Sequence, residues 1–174
     1  MRFLLNIVVL LASLLMPYPC FAAQNDRFTG PATHSQTGVA KYGFALALTA
    51  EASSVPLGTP IWVTVEIRNV SGGTEYASAE SRAGGYDFTI VNSATGKSVP
   101  RNLRSTFGLD AISVSMRGRT VPANTSFYSK FRLDELYEFT ERGTYTVEVT
   151  TARLRVNGQN VQMGPSNKIS ITVT

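Results

Sequence analysis

The residues best suited to chemistry in this chain of 174 residues are four carboxylates that lie close together in sequence. Asp134, Glu135, Glu138 and Glu141 precede an alternating stretch that begins at Gly143. Paired carboxylates can hydrolyse glycosides or coordinate calcium, although the spacing lacks the central glycine of a calcium-binding loop. A carboxylate enzyme or calcium-dependent adhesin is therefore one alternative, and a solvated acidic connection explains the same residues without a metal.

Histidine and cysteine, two common catalytic residue types, occur only in the N-terminal part of the sequence. The single histidine is His34 and the single cysteine is Cys20, so neither residue type occurs from Tyr42 onward. A nucleophilic serine needs a base that titrates near neutral pH, which histidine usually supplies. We therefore expect a protein that is not an enzyme and that has no metal site and no cofactor.

A second group of candidate residues is basic. Seven basic residues and a single acidic one lie between Lys97 and Arg132, within a chain of net charge +4. Among them Arg101, Arg104, Arg117 and Arg119 are candidates for binding carboxylate, phosphate or sulfate groups, because guanidinium forms bidentate hydrogen bonds. The alternative is that these charges lie on different edges and only keep the domain soluble. The net charge is too small to indicate nucleic acid.

Trp62 is the most specific single candidate for a binding residue. It alternates with Ile61 and Val63 in an apolar strand, and alternate strand residues point to opposite faces. The indole is therefore predicted to point away from the core, where tryptophan is enriched at binding surfaces. The alternative is that another segment of the chain covers it.

The N-terminus has the pattern of a secretory signal peptide over residues 1–23. Arg2 precedes an apolar run over Phe3–Met16, and Ala22 and Ala23 provide a cleavage site. The run is shorter than the roughly 20 residues that span a bilayer, so we expect no stable membrane span in the mature chain. Cys20 is expected to leave with the signal peptide, although its position leaves lipid modification open.

The remaining sequence divides into a flexible leader, 24–41, and one domain, 42–174. The leader is polar and without apolar periodicity. The domain has alternating apolar residues and frequent turn residues, which predicts an all-β fold, specifically an antiparallel immunoglobulin-like β-sandwich of about seven to nine strands. The residues predicted to point inward are Leu46, Leu48, Ile61, Val63, Val65, Ile67, Phe88, Ile90, Phe127, Phe131, Tyr145, Val147, Val149, Ile169, Ile171 and Val173.

Four segments together resemble the intracellular proteinase inhibitor family of bacteria. They are the alternating strand that runs into Asn-x-Ser, Val63–Ser71; the glycine-led aromatic strand, 85–91; a turn with its aromatic strand, 121–131; and Gly-x-Tyr-x-Val-x-Val at 143–149. The resemblance covers about Ile61 to Thr174 and implies a small β-sandwich that binds a serine protease. The resemblance identifies no inhibitory residue. The predicted signal peptide implies export, whereas the members of this family are intracellular.

These observations favour an exported, non-catalytic immunoglobulin-like interaction module of the periplasm or cell exterior. Its partner would be another protein or an anionic envelope component. The first alternative is an exported proteinase inhibitor, with the predicted loop over Pro100–Asp110 presenting Arg101 or Arg104 to a protease. The second is the carboxylate enzyme or calcium-dependent adhesin.

Overall fold

The computed structural model describes residues 38–79, 85–102 and 118–174, all within one compact unit, 33–174. The predicted signal peptide therefore lies outside the described residues, as do most of the leader, Arg104 and Arg117. No helix in the described part of the chain is long and apolar enough to cross a membrane.

The described residues form an all-β protein with ten strands and one short helix. The strands are β1 Phe44–Ala50, β2 Ser54–Val55, β3 Trp62–Asn69, β4 Glu75–Ala79, β5 Tyr86–Asn92, β6 Arg119–Val121, β7 Ser126–Arg132, β8 Gly143–Val156, β9 Gln159–Met163 and β10 Ile169–Val173; the helix is α1 Leu133–Leu136. The predicted all-β class is confirmed. A hairpin around Asn157-Gly158 joins β8 to β9.

The strands belong to two sheets. One has three strands in the order β1-β3-β7, and both of its pairings are antiparallel. The other has seven strands built around β8, whose first half lies between β10 and β5 and whose second half lies between β9 and β4. The pairing of β2 with β10 is parallel, an exception to the predicted antiparallel pattern.

The alternation seen in the sequence places the core correctly. Of the residues predicted to point inward, all are buried except Ile169, which is only partly buried at the start of β10. The two sheets meet through aromatic side chains: the Tyr86 ring of β5 lies 4.8 Å from the Phe131 ring of β7, and the Phe88 ring lies 5.5 Å from it. The Tyr86 hydroxyl also lies 3.1 Å from the Ser129 hydroxyl, so the core contains a polar contact between sheets.

The segment between β9 and β10 links β8, in the middle of the larger sheet, to β1, at the edge of the smaller one. Ser166 donates its backbone N–H to the Val149 carbonyl (2.9 Å), and its hydroxyl accepts the Val149 N–H (3.0 Å). Asn167 bonds the other sheet, because its side-chain amide donates to the Leu48 carbonyl (3.0 Å) and its side-chain oxygen accepts the Leu48 N–H (2.7 Å). A single side chain thus takes the place of a neighbouring strand at Leu48.

The start of β8 is fixed by a tyrosine. The Tyr145 hydroxyl donates to the Glu141 carbonyl at 2.6 Å, four residues upstream. The Tyr145 ring is buried and packs edge-on against Phe139 at 5.1 Å. This contact holds the connection from α1 to β8 against the end of the core.

Candidate functional site

The candidate site is the face of the three-stranded sheet that points away from the core, which we call the outer face. Because side chains alternate along a strand, β3 buries Val63, Val65 and Ile67 and turns the residues between them outward. Pairing with β7 brings the outward residues of both strands side by side. The outer face consists of Trp62, Thr64, Glu66, Arg68, Ser126, Tyr128, Lys130 and Arg132.

Trp62 lies on this face as predicted, and two cations lie against its ring. Arg132 is its cross-strand partner, and Lys130 is paired with Thr64, two residues further along β3. The Lys130 ammonium is 4.5 Å and the Arg132 guanidinium 5.8 Å from the indole centroid. Such contacts contribute about 0.5–1 kcal/mol each at exposed sites. These contacts therefore favour the orientation that the half-buried indole adopts.

Carboxylates bind both cations that contact Trp62. Lys130 forms an ion pair with Glu51, just beyond β1. Arg132 binds Asp134 at 2.7 Å and Glu135 at 2.6 Å, both in α1. These charges are balanced locally, so the surroundings of the indole do not form a positive patch.

Asp134 links the outer face to the start of β3. Its Oδ1 accepts the Ile61 backbone N–H at 2.9 Å, while its Oδ2 binds Arg132. Partial burial by itself raises the pKa of this carboxyl, but the hydrogen bonds from Arg132 and Ile61 and the charge of Arg132 outweigh burial. The pKa of Asp134 consequently lies below its ordinary value, and the carboxylate stays charged at neutral pH.

This lowered pKa predicts an acid-sensitive contribution to stability. A carboxyl whose pKa is lower in the folded state stabilises the fold above its unfolded pKa, about 3.9, and loses that contribution as the pH falls through the folded value. At pH 7 we expect Asp134→Asn to lower the free energy of unfolding by about 1 kcal/mol. Urea denaturation at pH 7 and at a pH below the folded pKa should show this difference shrinking on acidification. A difference independent of pH would contradict the assignment.

The next feature is the predicted group of carboxylates between Asp134 and Glu141. Asp134 and Glu138 line a cavity of about 300 Å³ with Tyr137 and Phe139, but Asp134 is already bound to Arg132. Across residues 38–79, 85–102 and 118–174, no three His, Cys, Asp or Glu side chains are placed to hold a metal ion. Asp134 and Glu135 therefore have a structural explanation as partners of Arg132.

The predicted arginine group is distributed over several elements. Arg101 pairs with Asp87 of β5 at 3.4 Å and its backbone pairs with Tyr137. Arg119 lies in β6 with its guanidinium 5.3 Å from the Phe127 ring. Neither contacts Trp62 in the described part of the structure. From the sequence, Lys130 and Arg132 could be identified only as members of the basic group. Their position beside Trp62 depends on the register of β3 with β7.

Comparison with known proteins identifies no family. No protein-family model matches the chain, and no curated protein matches it. Among solved structures, the chain is similar to Northeast Structural Genomics Consortium target SoR45, with 10% identity and a TM-score of 0.43, over 78% of this chain and 90% of that chain.

Two β-glucosidase structures also match over part of their length. One is EmGH1 from Erythrobacter marinus, with 14% identity and a TM-score of 0.37, over 75% of this chain and 15% of that chain. The other is the enzyme from Listeria innocua in complex with glucose, with 14% identity and a TM-score of 0.36, over 78% of this chain and 17% of that chain. These similarities are too low to support a functional conclusion.

Proposed function

We propose that this protein is an exported, non-catalytic immunoglobulin-like interaction module of the periplasm or cell exterior, which binds another protein through its outer face. The observation that carries the proposal is Trp62, an outward-facing indole with Lys130 and Arg132 against its ring. A large aromatic side chain that is already ordered loses little conformational entropy on binding, which is how binding hot spots are often built.

The strand arrangement supports the immunoglobulin-like part of the proposal. In an immunoglobulin domain, strands A, B and E lie in one sheet and strands C, F and G in the other. Here β1, β3 and β7 occupy the first set of positions, while β5, β8 and β10 occupy the second. The bond from Tyr145 to Glu141 has the geometry of the tyrosine corner found before strand F of such domains.

Charge balance supports a protein partner over an anionic envelope component. The two cations beside Trp62 are neutralised by Glu51, Asp134 and Glu135. An anionic lipid or glycan would have to compete with these carboxylates. A protein surface can instead bury the indole and leave the ion pairs intact at the rim, where they contribute to specificity.

The two alternative functions have weaker support. For an exported proteinase inhibitor, Arg101 of the predicted loop is engaged with Asp87. For a carboxylate enzyme or calcium-dependent adhesin, Asp134 and Glu135 share Arg132 as their partner. Export rests on the sequence pattern of residues 1–23.

The proposal is tested by comparing how much of a binding partner is retained by the wild type and by variants of exposed aromatic residues. Immobilised protein is incubated with native envelope extract, and the retained proteins are quantified by mass spectrometry. Trp62→Ala is expected to reduce retention of the partner at least about tenfold, which corresponds to a hot spot of about 1.4 kcal/mol or more. Tyr76→Ala is the matched control, because Tyr76 is also an exposed aromatic residue but lies in β4 of the other sheet.

Salt then distinguishes the two partner classes. Raising salt from about 0.15 M to about 1 M shortens the screening length from roughly 8 to 3 Å. A protein bound through Trp62 should stay bound, whereas an anionic envelope component held by charge should be released. Equal retention by the wild type and Trp62→Ala, with the melting temperature unchanged, would refute the proposed surface. Genuine catalytic turnover by the purified protein would refute the non-catalytic assignment.

A further inference from the structure

A second cavity, separate from the outer face, lies where three turns meet. It is bounded by the turn before β1, the loop between β3 and β4, and the hairpin between β8 and β9. Its volume is about 510 Å³, within the range of roughly 300–1,000 Å³ that is usual for small-molecule sites. The side chains that define its chemistry are Tyr42, Ser71, Glu75, Asn157, Gln159 and Val161.

Tyr42 is the unusual residue of this cavity. It has φ 54° and is followed by Gly43 with φ 77°, so both central residues of the tight turn are left-handed. Hydrogen bonds between Lys41 and Phe44, of 2.7 and 3.0 Å, close the turn. Such turns favour Asn-Gly, and a bulky residue in this conformation is an outlier.

The conformation of Tyr42 is not explained by burial of its ring. The side chain is 55% exposed, so little apolar surface is removed from water in return for the unfavourable backbone. The turn itself is fixed, because the Gly43 carbonyl accepts the backbone N–H groups of Val70 (2.8 Å) and Ser71 (3.1 Å). Strained residues that the surrounding structure holds in place are concentrated at ligand sites. The backbone that carries the ring is thus fixed, and the ring itself remains open to solvent.

Glu75 supplies an oriented acceptor in the same cavity. One carboxylate oxygen accepts the Ser71 hydroxyl (3.2 Å), and the other accepts the Asn157 side-chain amide (2.6 Å). Asn157 is itself positioned, because its side-chain oxygen accepts the Tyr76 N–H at 3.1 Å. Each carboxylate oxygen has more than one acceptor site, so Glu75 can still accept hydrogen bonds from a ligand.

The combination of an exposed ring, a fixed acceptor and nearby amides suits a ring-shaped molecule with several hydroxyl groups. The Lys41 ammonium already lies 5.3 Å from the Tyr42 ring centroid and would repel a cationic ligand on that ring, while the Glu75 carboxylate would repel an anionic one, so the cavity favours a neutral ligand. We propose that this cavity binds a neutral hexose unit of a glycan, with the sugar ring stacked on Tyr42 and its hydroxyls donating to Glu75.

The experiment titrates isotope-labelled protein with maltose, cellobiose and N,N′-diacetylchitobiose, followed by amide chemical shifts. Concentrations up to about 20 mM cover the weak, millimolar range. At least one disaccharide is expected to shift the amides of Gly43, Ser71 and Val161 in a saturable way. The amides of the outer face should not move, which separates this site from the proposed interaction surface.

Two variants each remove one of the proposed sugar contacts while keeping the turns that form the cavity. Tyr42→Asn deletes the ring but suits the left-handed turn, so affinity should fall at least about tenfold while the melting temperature stays equal or rises. Glu75→Gln keeps one oxygen that can accept the Asn157 amide, and its own amide can donate to the Ser71 hydroxyl. The charge and one acceptor oxygen are lost, so affinity should fall severalfold. Tyr128→Asn is the matched control, because Tyr128 is also an exposed tyrosine (60%) but lies on the outer face. The affinity of this variant for the disaccharide should equal that of the wild type.

Three results would overturn the inference. The first is the absence of saturable shifts at the cavity with all three disaccharides. The second is binding that survives Tyr42→Asn in a folded protein. The third is saturable binding of the cation spermidine at these amides in place of the sugars. None of these results bears on partner retention through Trp62, so the two proposals can fail independently.

Discussion

Phe131→Ala is expected to lower the free energy of unfolding by about 4 kcal/mol, the usual cost of removing a buried phenylalanine. Phe131 is buried on the inner face of β7, where its ring contacts both Tyr86 and Phe88 of the opposite sheet. Removing it loses the transfer free energy of the ring and leaves a cavity between the sheets. Urea denaturation followed by circular dichroism should show an earlier midpoint.

Tyr128→Ala is the matched control for Phe131. Both residues lie in β7, but Tyr128 is 60% exposed on the outer face, so its removal should change stability by only about 0.5 kcal/mol. Phe131→Leu should cost much less than Phe131→Ala, because leucine refills part of the volume. Equal effects at Phe131 and Tyr128 would mean that the two sheets are not packed through this ring.

Asn69→Ala is expected to cost about 3 kcal/mol, although it removes only a few atoms. The side chain is 0% exposed at the end of β3. Its amide donates to the Gly73 and Val121 carbonyls, both at 2.9 Å, and its oxygen accepts the Ser71 N–H, also at 2.9 Å. Alanine leaves these groups without that partner, and the bond to Val121 is fully buried.

The contrast with an exposed asparagine tests this explanation. Asn160 is exposed in β9, so Asn160→Ala should change the free energy of unfolding by no more than about 0.5 kcal/mol. The unfolding of both variants can be followed by the fluorescence of Trp62, the single tryptophan of the chain. If Asn69→Ala were as stable as Asn160→Ala, other groups or water would have to satisfy the Gly73 and Val121 carbonyls.

The core could be predicted from the sequence because strand periodicity is local. Val63, Val65 and Ile67 point inward wherever β3 lies, since a strand with one buried face needs only alternation. The predicted position of Trp62 on the opposite face follows from the same alternation and agrees with the structure. Ile169 was predicted to be buried and is only partly so, because alternation does not show where a neighbouring strand ends.

The surroundings of each site could not be predicted, because they depend on pairing between distant segments. The cations beside Trp62 come from β7 by a register that nothing in β3 specifies. The four carboxylates from Asp134 to Glu141 were predicted as one acidic group that could do chemistry, whereas two of them, Asp134 and Glu135 of α1, bind Arg132. In the cavity with Tyr42, Glu75 and Asn157 are brought together from positions 82 residues apart in sequence.

Asn167 gives the three-stranded sheet an unusual kind of border. A sheet usually hides its last strand beneath a loop or discourages pairing with charges and prolines, but at Leu48 both backbone groups are satisfied by a single amide side chain. Such a side chain can rotate away far more readily than a strand can separate. Any replacement of Asn167 too short to reach Leu48 is therefore expected to leave both backbone groups of Leu48 unpaired, which would open a place on this edge where a strand of another chain can pair alongside β1.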